Sequence, residues 1–138
     1  MKIFLPIISF LLLLSGPAHA HTAMNKFWGE VPVDMLLTGD VLIVRPLIVP
    51  EGVTLTIDSS AVVRFEKSAK GDNRIVVKGK FIAVGEKGKT ISFIPKDKDS
   101  GLWKGIEFAP TAQGRLENCI LEKSISGIID PQKRVKNA

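Results

Sequence analysis

Short apolar runs rich in β-branched residues follow one another along most of the chain. Each run is closed within a few residues by Gly, Pro, Asp or Lys, a punctuation too tight for helices and typical of strands. The pattern therefore predicts a chain built almost entirely of strands. The predicted strands are Val41–Val44, Leu47–Val49, Val53–Ile57, Ala61–Phe65, Ile75–Val77, Phe81–Val84, Ile91–Ile94 and Ile106–Phe108.

Apolar and polar residues alternate inside the clearest of these runs. In Val53–Ile57 the two threonines face away from the three apolar residues, and in Ala61–Phe65 the same alternation turns Arg64 away from the apolar set. Each strand is thus predicted to bury one face in a core and to expose the other to solvent.

Similar runs recur along the chain at irregular steps. Val53, Ile75, Trp103 and Ile128 stand 22, 28 and 25 residues apart. Irregular steps of this size favour stacked coils, in which neighbouring coils share one interior and the loops vary in length. The alternative fold is an antiparallel β-sandwich, which favours Asn-Gly hairpin turns, and the sequence contains none.

Several longer segments resemble the coils of exported right-handed parallel β-helix repeat proteins, the pectate-lyase-like solenoids. The resemblance covers residues 28–129 and implies an all-β, right-handed parallel β-helix of about four coils. Two departures are Asp58-Ser59-Ser60, where the family often has Pro-Gly-Thr, and an end soon after Ile129. The scaffold carries many functions, so the resemblance implies a fold and not an activity. The segments that carry it are Gly39–Val41, Pro46–Ile57, Val62–Phe65, Ile75–Gly85, Ile91–Phe93 and Gly101–Phe108.

The amino terminus has the pattern of a signal peptide. Lys2 precedes the apolar run Ile3–Leu14, and Ala18-His19-Ala20 has the small residues that signal peptidase requires. A membrane anchor is the alternative, but the run is shorter than the ~20 apolar residues of a bilayer span. We expect export to the periplasm or the extracellular space without a transmembrane anchor. The predicted organisation is a signal peptide at 1–20, an amino-terminal segment and cap at 21–38, coils at 39–129 and a polar tail at 130–138.

Charge and cysteine content exclude several classes of protein. Without residues 1–20, the 19 Lys and Arg become 18 against 14 Asp and Glu, a net charge of about +4. The cations are spread through loops, so nucleic-acid binding is not expected. Cys119 is the single cysteine, which leaves no internal disulfide and predicts a buried, inert thiol.

Residues that normally carry catalysis are scarce. Beyond His21 the sequence has no histidine, which removes a Ser-His-acid triad and a zinc site, and His21 alone is a weak copper chelator. Asp97 and Asp99 stand among lysines in a predicted loop, and Glu107 and Glu117 occupy outward strand positions that could lie near one another. No catalytic, metal-binding or cofactor-binding residue is therefore predicted.

A candidate ligand-binding surface comprises Arg64, Lys78, Lys80, Trp103 and Lys104. The cations suit an acidic glycan or a membrane surface, and a solvated face explains them as well. Trp103 is either exposed at a corner between Gly101 and Gly105 or packed under a loop. Trp28 is predicted to help close the first coil against water.

These features together predict an exported, noncatalytic β-helix module with a structural or interaction role in the cell envelope, with glycans as candidate ligands. The alternative is a carbohydrate-active enzyme, a polysaccharide lyase or hydrolase, or a degenerate remnant of one, with Asp97, Asp99 and Glu107 at its cleft. The expected partners are a polysaccharide, or an envelope protein that docks at the open carboxy-terminal coil. Alternatively, no partner docks at that end, and Pro131 and the cationic tail prevent a further strand from adding to the open coil.

Overall fold

The computed structural model describes residues 24–99 and 101–131. The predicted signal peptide, His21 and residues 132–138 of the predicted tail lie outside the described residues. Twelve strands and no helix occur in these two ranges, so no helix there is long and apolar enough to span a membrane. The strands are β1 (Asn25–Glu30), β2 (Met35–Leu37), β3 (Asp40–Val49), β4 (Thr54–Ile57), β5 (Val62–Phe65), β6 (Arg74–Val77), β7 (Lys80–Val84), β8 (Ile91–Pro95), β9 (Gly105–Phe108), β10 (Gln113–Glu117), β11 (Cys119–Leu121) and β12 (Ile128–Ile129).

The strands form two sheets, and every pair of neighbouring strands within them is parallel. The large sheet has eight strands in the order β11-β8-β5-β3-β6-β9-β12, with β1 also paired to β3, and the small sheet has the order β10-β7-β4-β2. Parallel pairing throughout argues against the antiparallel sandwich, which needs hairpin-connected neighbours. The antiparallel β-sandwich, the alternative fold considered from the sequence, is therefore not the fold of this chain.

The large sheet curls around an axis because the long strand β3 pairs with one strand along its first half and with another along its second half. Residues 40–43 of β3 pair with β5, whereas residues 47–49 pair with β6. The strand β1 follows β3 along both halves, with a shift of register between Phe27 and Gly29. The sheet therefore bends at the middle of β3, and each half continues through its own set of strands.

Apolar residues in register fill the interior. Val63 lies opposite Phe93, Leu55 opposite Phe81, and all four side chains are fully buried. The alternation expected from the sequence is confirmed for this part of the chain, since Arg64 and the threonines of β4 are half-exposed beside buried neighbours. Because apolar side chains lie opposite apolar side chains on neighbouring strands, the strands share one continuous hydrophobic core.

The amino-terminal segment contains the strands β1 and β2. The strand β1 pairs with β3 in the large sheet, and β2 pairs with β4 at the edge of the small sheet. Trp28 is 52% exposed and therefore does not seal the core, and its ring lies 5.6 Å from the guanidinium carbon of Arg45. The predicted strands leave out five of the twelve. The strands β1 and β10 consist mostly of polar residues, and β2, β11 and β12 are only two or three residues long.

Candidate functional site

A very short connection joins β6 to β7 through Lys78 and Gly79. The backbone N–H groups of both residues donate to the carbonyl oxygen of Val49, at 2.7 and 3.0 Å. A Cβ at position 79 would overlap the carbonyl oxygens of Pro50 and Val53. Glycine is therefore required here by the close approach of the neighbouring backbone, and the two flanking lysines are held at fixed positions.

An open groove of about 380 Å³ lies along this connection, and we call it the corner groove. Its wall combines two cations, one carboxylate and three neutral hydrogen-bonding side chains, with backbone atoms of the connections between them. The side chains that line it are Lys78, Lys80, Glu51, Thr54, Thr111 and Gln113.

Strand register sets the spacing of the polar side chains in the corner groove. Thr54, Lys80 and Gln113 occupy matching positions on β4, β7 and β10, so they repeat at about 4.8 Å across the small sheet. The row is anchored at its β4 end, where the N–H of Thr54 donates to Asp34 Oδ1 at 2.9 Å. The result is a ladder of donors and acceptors that can hold hydroxyl groups, flanked by lysines that can hold an anionic group.

The sequence placed Trp103 among the candidate ligand-binding residues, but the structure buries it, so it does not belong to a ligand-binding surface. It is 2% exposed, its ring stacks on Phe65 with centroids 3.9 Å apart, and its Nε1–H donates to the carbonyl oxygen of Glu122 at 2.7 Å. Packing under a loop, the alternative that the sequence left open, is the one the structure shows. A buried ring with a satisfied N–H has no face to offer a ligand.

The other predicted surface residues are dispersed. Arg64 lines a second groove of about 180 Å³, together with three lysines, and its Nε lies 3.7 Å from Asp40 Oδ1. Lys104 directly precedes β9 of the large sheet, and its N–H donates to the carbonyl oxygen of Asn73. Of the predicted set, only Lys78 and Lys80 share the corner groove.

Three of the candidate acids, Asp97, Glu107 and Glu117, each have a local partner. Asp97 accepts a hydrogen bond from the N–H of Asp99 at 3.0 Å, a local arrangement typical of a loop. Glu107 lies 3.3 Å from Arg74 in the large sheet, while Glu117 is paired with Arg115 in the small sheet. Within residues 24–99 and 101–131, no three His, Cys, Asp or Glu side chains are grouped so as to hold a metal ion.

Cys119 is buried, as the sequence predicts. Its thiol donates to the carbonyl oxygen of Ala83 at 3.2 Å, and burial raises the pKa of the thiol to about 11. The raised pKa keeps the sulfur protonated at neutral pH, and a protonated, enclosed thiol is a poor nucleophile.

Four side chains that line the corner groove were not among the predicted ligand-binding residues. Gln113 belongs to β10, a strand without an apolar alternation, and Glu51 and Thr111 lie in connections whose positions depend on the stacking of the sheets. Thr54 did carry a signal, because the alternation in β4 turns its side chain outward. Register between distant strands, which no local pattern encodes, was the missing information.

Together these elements define the class of fold: an all-β protein whose large parallel sheet curls around an axis, with a groove beside a short connection. Comparisons of the chain with protein families, with curated proteins and with solved structures find no match.

Proposed function

We propose that the two sheets together form a right-handed parallel β-helix of the pectate-lyase-like kind. The pairings sort the strands into three stacks that the chain visits in a fixed rotation, which is the connectivity of a solenoid. Right-handedness follows from the general preference of parallel crossover connections. The stacks are β1-β3-β5-β8-β11, then the later parts of β1 and β3 with β6-β9-β12, then β2-β4-β7-β10.

The protein acts, in this proposal, as an exported, noncatalytic interaction module of the cell envelope that binds acidic polysaccharide in the corner groove. The observation that carries the proposal is the placement of Lys78 and Lys80 beside the ladder formed by Thr54 and Gln113. Lysine ammonium groups attract the carboxylates of acidic sugars, and the ladder offers partners to their hydroxyls. A ladder repeated from strand to strand suits a polymer better than a single small molecule.

The lining of the groove favours binding over bond cleavage. Glycoside hydrolysis generally needs two carboxyl groups facing one sugar, and Glu51 is the one carboxylate among the described residues that line the corner groove. The candidate acids elsewhere are held in local contacts of their own. Export and an envelope location rest on the signal-peptide pattern of residues 1–20.

Binding of polygalacturonate and alginate, measured by titration calorimetry against neutral glucomannan, tests the proposal. The wild type should bind the acidic polymers, and affinity should fall as salt is added. The double variant Lys78→Gln/Lys80→Gln should lose about tenfold in affinity, because each of these exposed lysines contributes up to about 1 kcal/mol through an ion pair with the polymer. Lys87→Gln/Lys89→Gln, which removes two exposed lysines from the turn before β8, is the matched control and should bind as the wild type does.

Three outcomes would overturn the proposal. Absence of binding to any acidic polymer removes the glycan role, and an equal loss in the two double variants shows a diffuse charge effect rather than a site. Steady release of new chain ends by the wild type, at a rate that Glu51→Gln abolishes, would make the carbohydrate-active enzyme the correct function.

A further inference from the structure

A second surface lies where the two halves of the large sheet meet, and we call it the ridge. It consists of Trp28 and the connections that carry the chain from one half to the other. Because the strands on both sides are stacked in register, these connections are stacked too. The connections are residues 66–73, 96–104 with residue 100 outside the described part, and 122–127; residues 44–46, where β3 bends, belong to the same stack.

Hydrogen bonds between successive connections make the ridge continuous. The amide of Asn73, which is buried, donates to the carbonyl oxygen of Ile43 at 2.7 Å and to that of Glu66 at 2.9 Å. The N–H of Lys104 donates to the carbonyl oxygen of Asn73, and the N–H of Ser126 donates to that of Lys104. The ridge is therefore a structured edge of the fold and not a set of independent loops.

Large apolar side chains project from the ridge into solvent. Trp28, Leu102 and Ile125 are 52%, 56% and 56% exposed, which makes them half of the six large exposed apolar residues in the described part of the chain. Leu102 and Ile125 lie on adjacent connections, since the N–H of Ile125 donates to the carbonyl oxygen of Trp103 at 2.8 Å. Trp103, which follows Leu102 in the sequence, is buried and stacked on Phe65, so this part of the ridge has a rigid base.

Cations outnumber acids on the ridge. The ridge carries seven of the fifteen Lys and Arg residues in the described ranges, against five Asp and Glu. Two of its acids are engaged locally, since Glu66 lies 3.4 Å from Lys96 and Asp72 accepts a hydrogen bond from the Ser68 hydroxyl. The cations are Arg45, Lys67, Lys70, Lys96, Lys98, Lys104 and Lys123.

The second groove adjoins the ridge at its carboxy-terminal part. Four cations, Arg64, Lys96, Lys98 and Lys123, line this opening of about 180 Å³, together with two acids, Asp97 and Glu122, and the apolar residues Ile94 and Pro95. Because the cations outnumber the carboxylates by two and apolar residues lie beside them, the opening suits a phosphate group that is attached to an apolar body.

We propose that the ridge docks on a bilayer surface that contains anionic phospholipid. Trp28, Leu102 and Ile125 enter the boundary between headgroups and acyl chains, where an indole and aliphatic side chains are favoured. The lysines contact headgroup phosphates, with one phosphate held at the second groove. The corner groove lies at a different connection, between β6 and β7, so lipid and polysaccharide are held at separate places.

Co-sedimentation with vesicles tests the ridge. Vesicles of phosphatidylcholine with phosphatidylglycerol should bind the wild type, and vesicles of phosphatidylcholine alone should bind it several-fold less. Leu102→Ser/Ile125→Ser should lower the partition coefficient about tenfold, since both side chains are exposed and their loss leaves the core intact. Lys98→Gln/Lys123→Gln should lower it by a similar factor on anionic vesicles only.

Matched controls keep the outcomes distinguishable. Val33→Ser/Leu36→Ser removes two equally exposed apolar residues next to and within β2, and Lys87→Gln/Lys89→Gln removes two exposed lysines; both should leave binding unchanged. All proteins are compared with the same amino terminus, verified by intact mass, so that any retained leader contributes equally. Failure of the wild type to bind anionic vesicles, equal binding to neutral ones, or an equal loss in the controls overturns the proposal.

Discussion

The short connection at Gly79 and the ridge solve the same problem, turning the chain between stacked strands, in opposite ways. At the first, two residues join β6 to β7, and two backbone carbonyl oxygens, those of Pro50 and Val53, crowd the space where a side chain would begin. At the ridge, the connection from β8 to β9 spans residues 96–104 and carries its own charged and apolar side chains. The two longest connections between described strands, residues 66–73 and 96–104, thus lie on the ridge.

The difference shows where each turn obtains its rigidity. Close backbone packing holds the short connection, so the identity of residue 79 matters more than its contacts. A few buried anchors hold the ridge, chiefly the Trp103 ring on Phe65 and the Asn73 amide, while residues at its surface are free to carry chemistry. Loops positioned by a rigid scaffold commonly carry function in this way.

The largest effect is expected from removing the ridge anchor. Trp103→Ala should lower the free energy of unfolding by about 3–5 kcal/mol, since it empties the space beside Phe65 and abolishes the hydrogen bond to Glu122. The neighbouring Leu102→Ala, at an exposed position, should change it by less than about 0.5 kcal/mol. Urea denaturation followed by circular dichroism measures both. Similar losses in the two variants would show that the ridge has no dominant anchor.

A somewhat smaller effect is expected at the short connection. Gly79→Ala should cost about 3 kcal/mol, because the added methyl group overlaps two backbone oxygens that cannot move without breaking the ladder. Gly88→Ala is the matched control: it has open space around it and a φ of +84°, so strain alone should cost about 1 kcal/mol. If both variants melt at the same temperature, crowding is not what distinguishes the short connection.

The smallest expected effect is a gain in stability from a substitution at Ser60, in the connection between β4 and β5. Ser60 has a φ of 69°, in the left-handed region that glycine adopts readily. Ser60→Gly should therefore stabilise the protein by about 0.5 kcal/mol, after the extra entropy of the unfolded chain is deducted. Ser59→Gly, at a position without positive φ, should destabilise it by a similar amount. Thermal unfolding of the pair resolves the sign, and a loss at both positions would contradict the argument.

Most of the strands between Val41 and Phe108 could be predicted from the sequence, because apolar alternation records which side chains are buried. The strands β1, β2, β10, β11 and β12 could not, since they are polar or very short and their pairing depends on neighbours elsewhere in the chain. The candidate site divides in the same way. Lys78 and Lys80 stood out as charged positions, but their meeting with Gln113 requires the register of β7 and β10. The sequence left Trp103 open between exposure and packing under a loop, because the residue that accepts its hydrogen bond, Glu122, lies on a later connection.

The two tryptophans, one 52% exposed and the other 2% exposed, make the protein its own optical reporter. Trp103, enclosed beside Phe65, emits in an apolar environment, while Trp28 emits in water next to Arg45. A water-soluble quencher reaches only the second ring. One fluorescence spectrum therefore carries two separable signals, the integrity of the core and the occupation of its amino-terminal edge, without any label attached to the chain.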